Sequence, residues 1–85
     1  MALVDVLSER GMIRFILFLH EKDRMESEFR TIINSHYRVR DMLMELESLG
    51  LIKVVPKHER GIWYSLTDKG ARLAGSLAQI LKEFE

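Results

Sequence analysis

Residues 42–55 read Met-Leu-Met-Glu-Leu-Glu-Ser-Leu-Gly-Leu-Ile-Lys-Val-Val, and the pattern changes at Gly50. Before Gly50, apolar residues recur three and four positions apart, which is the spacing of one face of an α-helix. After Gly50 the segment is short and rich in β-branched residues, which favours a strand. Glycine is the residue that most often follows the last turn of a helix. We therefore predict a helix that ends at Leu49 and a strand at 51–55.

The sequence before this stretch predicts further helices. Residues 2–8 suit a short helix that ends before Gly11, and residues 12–22 are apolar on almost every side, which indicates burial among several neighbours. A helix is predicted from Ser27, its N-cap, to about Asn34. Ser35 then caps the helix that runs to Leu49. Its inward face is formed by apolar side chains at helical spacing, Val39, Met42, Leu43 and Leu46.

The sequence after this stretch predicts a hairpin and a last helix. Residues 51–55 and 61–66 are separated by the polar loop 56–60, and Thr67 is placed to cap a helix over about 68–84. Apart from the short helix at 2–8, the element order is then α-α-α-β-β-α, which makes the chain mainly α with a small β-hairpin, an α+β fold. We predict one winged helix-turn-helix domain over residues 1–85. Its helix-turn-helix spans about 27–49, its wing about 51–66 and its C-terminal helix about 68–84.

Two motifs at a fixed separation carry a family resemblance. Leu46-Glu47-Ser48-Leu49-Gly50-Leu51-Ile52 and Tyr64-Ser65-Leu66-Thr67-Asp68-Lys69-Gly70, divided by Glu59-Arg60, resemble the MarR-type and PadR-type transcriptional regulators of bacteria and archaea. The resemblance covers about residues 12–75 and implies DNA binding, with Arg60 in the place of the family's wing arginine. The long dimerisation helices of MarR-type proteins are missing. The chain therefore resembles a minimal prokaryotic winged helix, and the family's ligand pocket is not carried over.

Composition excludes several classes of protein. The 85 residues contain no cysteine, which removes disulfides, thiolate zinc sites and a cysteine nucleophile. The three histidines fit no metal spacing, and no phosphate loop or nucleophile elbow is present, so we expect no metal, no cofactor and no enzyme. The longest apolar stretch, 12–19, is interrupted by Arg14 and is too short for a membrane helix. Without a secretion leader, the expected location is the cytoplasm.

A recognition helix must present polar side chains to base edges while its other face is held by the core. Opposite the apolar face lie Tyr37, Asp41, Met44 and Ser48, flanked by Arg38 and Arg40. Met44 either meets a thymine methyl group or fills a gap beside the core, and Tyr37 could instead pack on the preceding helix. On the recognition helix we predict that DNA is contacted by Ser35, His36, Tyr37, Arg38 and Arg40. On the wing we predict contacts from Lys53, Lys57, His58 and Arg60.

The alternatives without DNA contact are that the polar face of the helix is only solvated and that the polar loop only makes the hairpin soluble. The net charge of zero at first argues against a nucleic-acid binder. Residues 27–40, however, carry three positive charges and one negative, as do residues 51–67, while residues 41–50 carry three negative charges. The positive charges therefore collect where a winged helix meets DNA. This pattern predicts modest affinity that is strongly sensitive to salt.

The apolar residues of the last helix indicate a surface for a second copy of the chain, because so small a domain has little core with which to cover them. We predict a two-fold homodimer, and the alternative is that the protomer's own first helix covers these side chains. A dimer would place two recognition helices about 34 Å apart and would bind a pseudo-palindromic duplex site. The predicted interface residues are Leu3, Val6, Leu7, Leu73, Leu77, Ile80, Leu81 and Phe84, and Val4 is a further candidate.

A second function stays open on the sequence alone. Winged helices also serve as protein-interaction modules in transcription, replication or chromatin assemblies. Asp41, Glu45 and Glu47 favour this alternative, because carboxylates near phosphates are repulsive.

Overall fold

The helices and strands follow the predicted order, except that one strand is added after the second helix and a 3₁₀ helix replaces the helix predicted over 27–34. The computed structural model describes residues 3–56 and 60–85. Its elements are α1 (Leu3–Leu7), α2 (Met12–Glu21), β1 (Arg24–Met25), a 3₁₀ helix (Glu26–Thr31), α3 (His36–Ser48), β2 (Ile52–Val55), β3 (Trp63–Leu66) and α4 (Asp68–Glu83). The mainly helical chain with a small antiparallel sheet is confirmed. None of the helices in the described part of the chain is long and apolar enough to span a membrane.

The segment between α2 and α3 differs from the prediction. The helix expected over 27–34 is a six-residue 3₁₀ helix, and its N-cap is Met25 rather than Ser27. The carboxylate of Glu28 accepts the backbone N–H of Met25 (2.7 Å), which fixes the start one residue before Ser27. At the other end, the N–H groups of Ile32 and Ile33 both donate to the carbonyl of Phe29, so no regular α-helical ladder continues.

The sheet has three strands rather than two. Arg24 and Met25, for which no strand was predicted, pair antiparallel with Tyr64 and Trp63 and so add β1 to the hairpin. The strand order is β1-β3-β2, and in the hairpin Ile52 lies opposite Leu66 and Val55 opposite Trp63. The second strand of the wing is therefore the central strand of the sheet.

Arg24 is a buried cation that ties three elements together. Its Nε donates to the carbonyl of Phe18 (3.0 Å), and its guanidinium carbon lies 3.7 Å from the centre of the Phe18 ring. Its Nη atoms lie 2.6 Å from Glu21 Oε1 and 3.6 Å from Glu28 Oε1. Because its side chain is only 10% exposed, this arginine holds α2, β1 and the 3₁₀ helix together and is not a surface cation.

One hydrophobic cluster lies between α2, α3 and the sheet. The four residues predicted for the inward face of α3 are all buried, as expected. The buried residues of α2 recur three and four positions apart, on one face of that helix, rather than on almost every side as its composition predicted. Phe15 and Phe29 pack with ring centres 4.8 Å apart. The inner face of the recognition helix is therefore fixed by the core. The buried apolar residues of α2 and α3 are Met12, Phe15, Ile16, Leu19, Val39, Met42, Leu43 and Leu46.

The end of α3 is fastened to the start of α4. Gly50 has a φ of 74°, in the left-handed region that glycine favours, as predicted. Thr67 caps α4 by accepting the N–H of Gly70 (3.1 Å), and its hydroxyl also donates to the carbonyl of Gly50 (2.6 Å). The Thr67 N–H donates to the carbonyl of Leu51 (3.0 Å), and Lys69 Nζ donates to that of Leu49 (3.0 Å). We call residues 49–51 and 67–70 the α3–α4 junction.

Gly70 allows the backbones to approach closely at the junction. A Cβ at this position would lie far inside contact distance of the Leu51 carbonyl oxygen, and that oxygen belongs to backbone that cannot simply rotate away. At Gly75, one and a half turns later in α4, a Cβ would meet nothing within 4 Å. The two glycines of the same helix therefore differ in their tolerance of a side chain.

We expect Gly70→Ala to lower the free energy of unfolding by about 1–3 kcal/mol or more, because the added methyl group forces the junction apart. Gly75→Ala, the matched control, should raise it by about 0.5–1 kcal/mol, because alanine is the better helix former. Urea denaturation followed by circular dichroism measures both. Equal effects of the two substitutions would contradict the close packing at Gly70.

Candidate nucleic-acid interface

The N-terminus of α3 is capped as the sequence predicts. The backbone N–H of Arg38 donates to Ser35 Oγ (3.3 Å), so the Ser35 hydroxyl already serves the helix. His36 and Tyr37 follow at the surface, with ring centres 6.0 Å apart in an edge-on arrangement. Tyr37 is 81% exposed, which excludes the alternative that it packs on the preceding helix.

The outward face of α3 is open to solvent. Asp41, Met44 and Ser48 are exposed, and together with Glu45 they line a shallow depression. Met44 is 60% exposed, so the interpretation that it fills a gap beside the core is wrong. An exposed methionine among polar neighbours is free to meet an apolar group of a partner, such as a thymine methyl.

The two arginines of α3 differ in their surroundings. Arg38 is exposed. Arg40 Nη2 lies 3.4 Å from Glu26 Oε2, in the first turn of the 3₁₀ helix, while the Arg40 side chain remains 52% exposed. The Glu26 side chain is only 15% exposed, so a phosphate that binds Arg40 has to compete with this carboxylate.

The described part of the wing places two of its four predicted cations at the surface. Lys53 is exposed on β2, opposite Ser65, and Arg60 is exposed just before β3. Lys57 and His58 lie outside the described residues. The base of the wing is held by the backbone, since the N–H of Glu26 donates to the carbonyl of Ile62 (2.8 Å).

Carboxylates lie on one flank of α3. Burial raises the pKa of Glu45, and a hydrogen bond and the charge of Glu9 raise it further. Asp41 acts in the same direction, whereas the positive charge of Arg38 lowers the pKa of Glu45. Glu9, which precedes α2, is therefore a neighbour of the recognition helix that the sequence did not reveal.

Two arginines that the sequence did not single out also lie near α3. Arg10 and Arg38 line one cleft of about 240 Å³, and Arg10 and Arg14 line another of about 250 Å³. The local signal for this arrangement is weak, because residues 1–26 carry a slight excess of negative charge that conceals the two arginines.

The predicted dimer residues divide into covered and exposed sets. Val6 is buried, and Leu7, Leu73 and Leu77 pack against the protomer's own core. For these four residues the alternative holds that the protomer itself covers the side chains. Val6, which is fully buried, is therefore removed from the predicted dimer interface. Their apolar surface is used within the chain because α1 and the first half of α4 close over α2 and the core. The exposed set is Leu3 (39%), Val4 (67%), Ile80 (53%), Leu81 (42%) and Phe84 (83%).

The side chains of the described residues include no group of three histidine or acidic residues arranged to hold a metal ion.

Comparison with known proteins identifies the family. No family model matches the chain. Over 83 residues, 93% of this chain and 77% of the relative, it is 39% identical to YvaP, an uncharacterized HTH-type transcriptional regulator of Bacillus subtilis. The chain belongs to the helix-turn-helix transcriptional regulators.

Solved structures share the fold of this regulator. A possible HxlR family transcriptional factor from Thermoplasma volcanium superposes with a TM-score of 0.81 at 19% identity, covering 99% of this chain and 79% of the other. A variant of ZitR from Lactococcus lactis gives a TM-score of 0.79 at 22% identity over 88% of this chain. The regulator spans about half (53%) of the ZitR chain. These likenesses show the winged-helix fold.

Family membership settles two of the predictions. The regulator is a DNA-binding winged helix-turn-helix protein that acts in transcription, as predicted, and transcriptional regulators of this kind are not enzymes. The motifs that suggested the family also have a physical basis, because Gly50 and Leu51 of the first motif contact Thr67 and Gly70 of the second.

The raised pKa of Glu45 gives a pH dependence to the stability of the fold. A carboxyl group with a pKa above its ordinary value in the folded state costs stability as pH rises from the ordinary glutamate pKa through the raised value. Glu45→Gln should therefore raise the melting temperature at pH 7, and this gain should vanish below about pH 4. Glu47→Gln, on the exposed side of the same helix, is the matched control. Thermal melts that show equal gains at both pH values would contradict the assignment.

Proposed function

We propose that this regulator binds specific sequences of double-stranded DNA as a homodimer, with α3 in the major groove and the wing on the backbone or in the minor groove. The observation that carries the proposal is the placement of α3. Its inner face is buried in the core, its C-terminal end is held at the α3–α4 junction, and its outer face is exposed. A recognition helix requires this rigid mounting and this open face.

The proposed contacts follow from exposure and charge. Tyr37 and Arg38 face outward in the first turn of α3, where the helix dipole favours phosphate. One arginine of this helix can read a guanine through two hydrogen bonds. Arg60 and Lys53 provide the second footprint. The full proposed set is Ser35, His36, Tyr37, Arg38, Arg40, Lys53 and Arg60, together with Lys57 and His58 from outside the described residues.

The proposed dimer rests on the last turns of α4. Ile80, Leu81 and Phe84 continue the face with which Leu77 meets the core, but they lie beyond the point where the protomer covers that face. A second copy that buries these side chains would explain their apolar character, and two-fold symmetry would pair two recognition helices with a pseudo-palindromic site.

The proposal includes the place of this regulator among its relatives. The contact between its two motifs supports a MarR-like or PadR-like minimal winged helix, and the single hydrophobic cluster supports one domain over residues 1–85. Under this proposal the regulator binds the duplex DNA of a prokaryotic cell, and its place of action is the cytoplasm.

One observation favours the alternative of a protein-interaction module. Asp41, Glu45 and the exposed Met44 line the same shallow depression on α3, and this acidic surface with an apolar centre would suit a basic partner protein. The depression lies in the middle and later turns of α3, whereas the proposed DNA contacts lie at its start.

DNA binding is tested by fluorescence anisotropy with mixed-sequence duplexes over a series of salt concentrations. The wild type should bind at low salt with a dissociation constant tighter than roughly 100 μM, and log K should fall linearly with log salt. Arg60→Ala should reduce that slope by about 0.9, the value for one phosphate contact. Lys82→Ala, on α4, is the control and should leave the slope unchanged. Absence of wild-type binding would favour the protein-interaction module.

The dimer is tested by sedimentation equilibrium. The wild type should sediment as two chains at micromolar concentration, and Phe84→Glu combined with Ile80→Glu should give one chain, because two charges would be buried without partners. Lys82→Glu, at an exposed position of the same helix, should leave the dimer intact. A wild-type mass of one chain would rule out the homodimer.

A further inference from the structure

Three arginines from three parts of the chain line two adjoining clefts, one of which lies beside the N-terminus of α3. Arg10 lies in the turn between α1 and α2, Arg14 in the first turn of α2 and Arg38 in the first turn of α3. Arg10 lines both of the clefts described above, which also share Ile32 and Ile33 as walls. The first cleft adds Arg38, and the second adds Arg14. The two clefts are therefore one continuous basic surface with Arg10 at its middle.

The charges of these arginines are not neutralised by ion pairs. Across residues 3–56 and 60–85, none of the three has a carboxylate oxygen within 4.0 Å, whereas Arg24 and Arg40 do. The carboxylate of Glu45 interacts electrostatically with Arg38, but it lies more than 4.0 Å away. All three arginine side chains are exposed. Guanidinium groups without direct ion pairs remain available to an anion from outside the chain.

The backbone around the clefts holds this arrangement in place. Gly11, next to Arg10, has a φ of 85°, and a Cβ there would lie 2.9 Å from Ile33 Cδ1. The turn that carries Arg10 is thus pressed directly against the segment that leads into α3. Ser35, at the edge of the first cleft, begins the 13-residue helix α3, so the positive end of its dipole points to the same place.

We propose that Arg10, Arg14 and Arg38 bind phosphate groups of one DNA strand at the edge of the major groove that α3 enters. This deepens the proposed function and rests on it. The group recognised is a phosphate, because exposed guanidinium groups that lie along two adjoining clefts suit the successive phosphates of a DNA strand. The exposed wing cations Lys53 and Arg60 provide a separate footprint on the duplex under the proposed function.

The experiment compares Arg10→Gln and Arg14→Gln with Arg72→Gln, which removes the same charge from an exposed position on α4. DNA binding is followed by anisotropy over a salt series, on a duplex that carries a selected site and on an unrelated duplex. Each of the first two substitutions should weaken binding about five- to tenfold and reduce the log–log salt slope by about 0.9. The loss should be equal on both duplexes, because phosphates carry no sequence information. Arg72→Gln should change neither quantity.

The outcomes separate this inference from the function on which it rests. If the wild type binds DNA and the double variant Arg10→Gln, Arg14→Gln retains the full salt slope, then Arg10 and Arg14 do not contact phosphates. The inference is then wrong, while the proposed function stands. If the wild type binds no DNA, the proposed function itself fails. A titration of the DNA-free protein with inorganic phosphate, followed by nuclear magnetic resonance, tests the other source of the group. Saturable binding at Arg10 with an unchanged DNA slope would assign the cleft to a small phosphate and overturn the DNA assignment.

Discussion

The geometry of this regulator depends on the close backbone contact between the first turn of α4 and the segment that follows α3. Three successive carbonyl groups, those of Leu49, Gly50 and Leu51, each receive a hydrogen bond from Thr67 or Lys69. The contact is possible because residue 70 has no side chain. Since β2 begins directly after Leu51 and α4 directly after β3, one contact fixes the recognition helix, the wing and the last helix relative to one another. The two possible DNA footprints are thus held at a set distance.

This contact explains which parts of the fold the sequence could predict. Each side of the junction has a local signal, a glycine after a helix and a threonine before one, and these signals placed the end of α3 and the start of α4 correctly. Ser35 did the same for the start of α3. The inward face of α3 followed from apolar spacing alone. The motifs that suggested a family are the two halves of the junction, so the resemblance reflects a packing constraint as well as ancestry.

The remaining features depend on tertiary contacts that leave no local pattern. A two-residue strand such as β1 has no period, and it forms because β3 offers it a partner. Arg24 ends a run of four polar residues, 21–24, yet it is buried against Phe18 and paired with Glu21. The convergence of Arg10 with Arg38 joins residues far apart in the chain, and α2 must first pack beside the segment before α3. For the candidate site, the sequence therefore supplied the recognition helix but not its surroundings.

The neutral overall charge follows from this organisation. Positive charge is concentrated at the start of α3, in the wing and around Arg10, while carboxylates occupy the later turns of α3.

Selection of bound sequences from a random duplex pool tests the central claim most directly. We expect enrichment of an inverted repeat whose half-sites have centres about 10 base pairs apart, the spacing of two recognition helices in a dimer. A pool that shows no enriched sequence after selection would contradict a sequence-specific DNA-binding role.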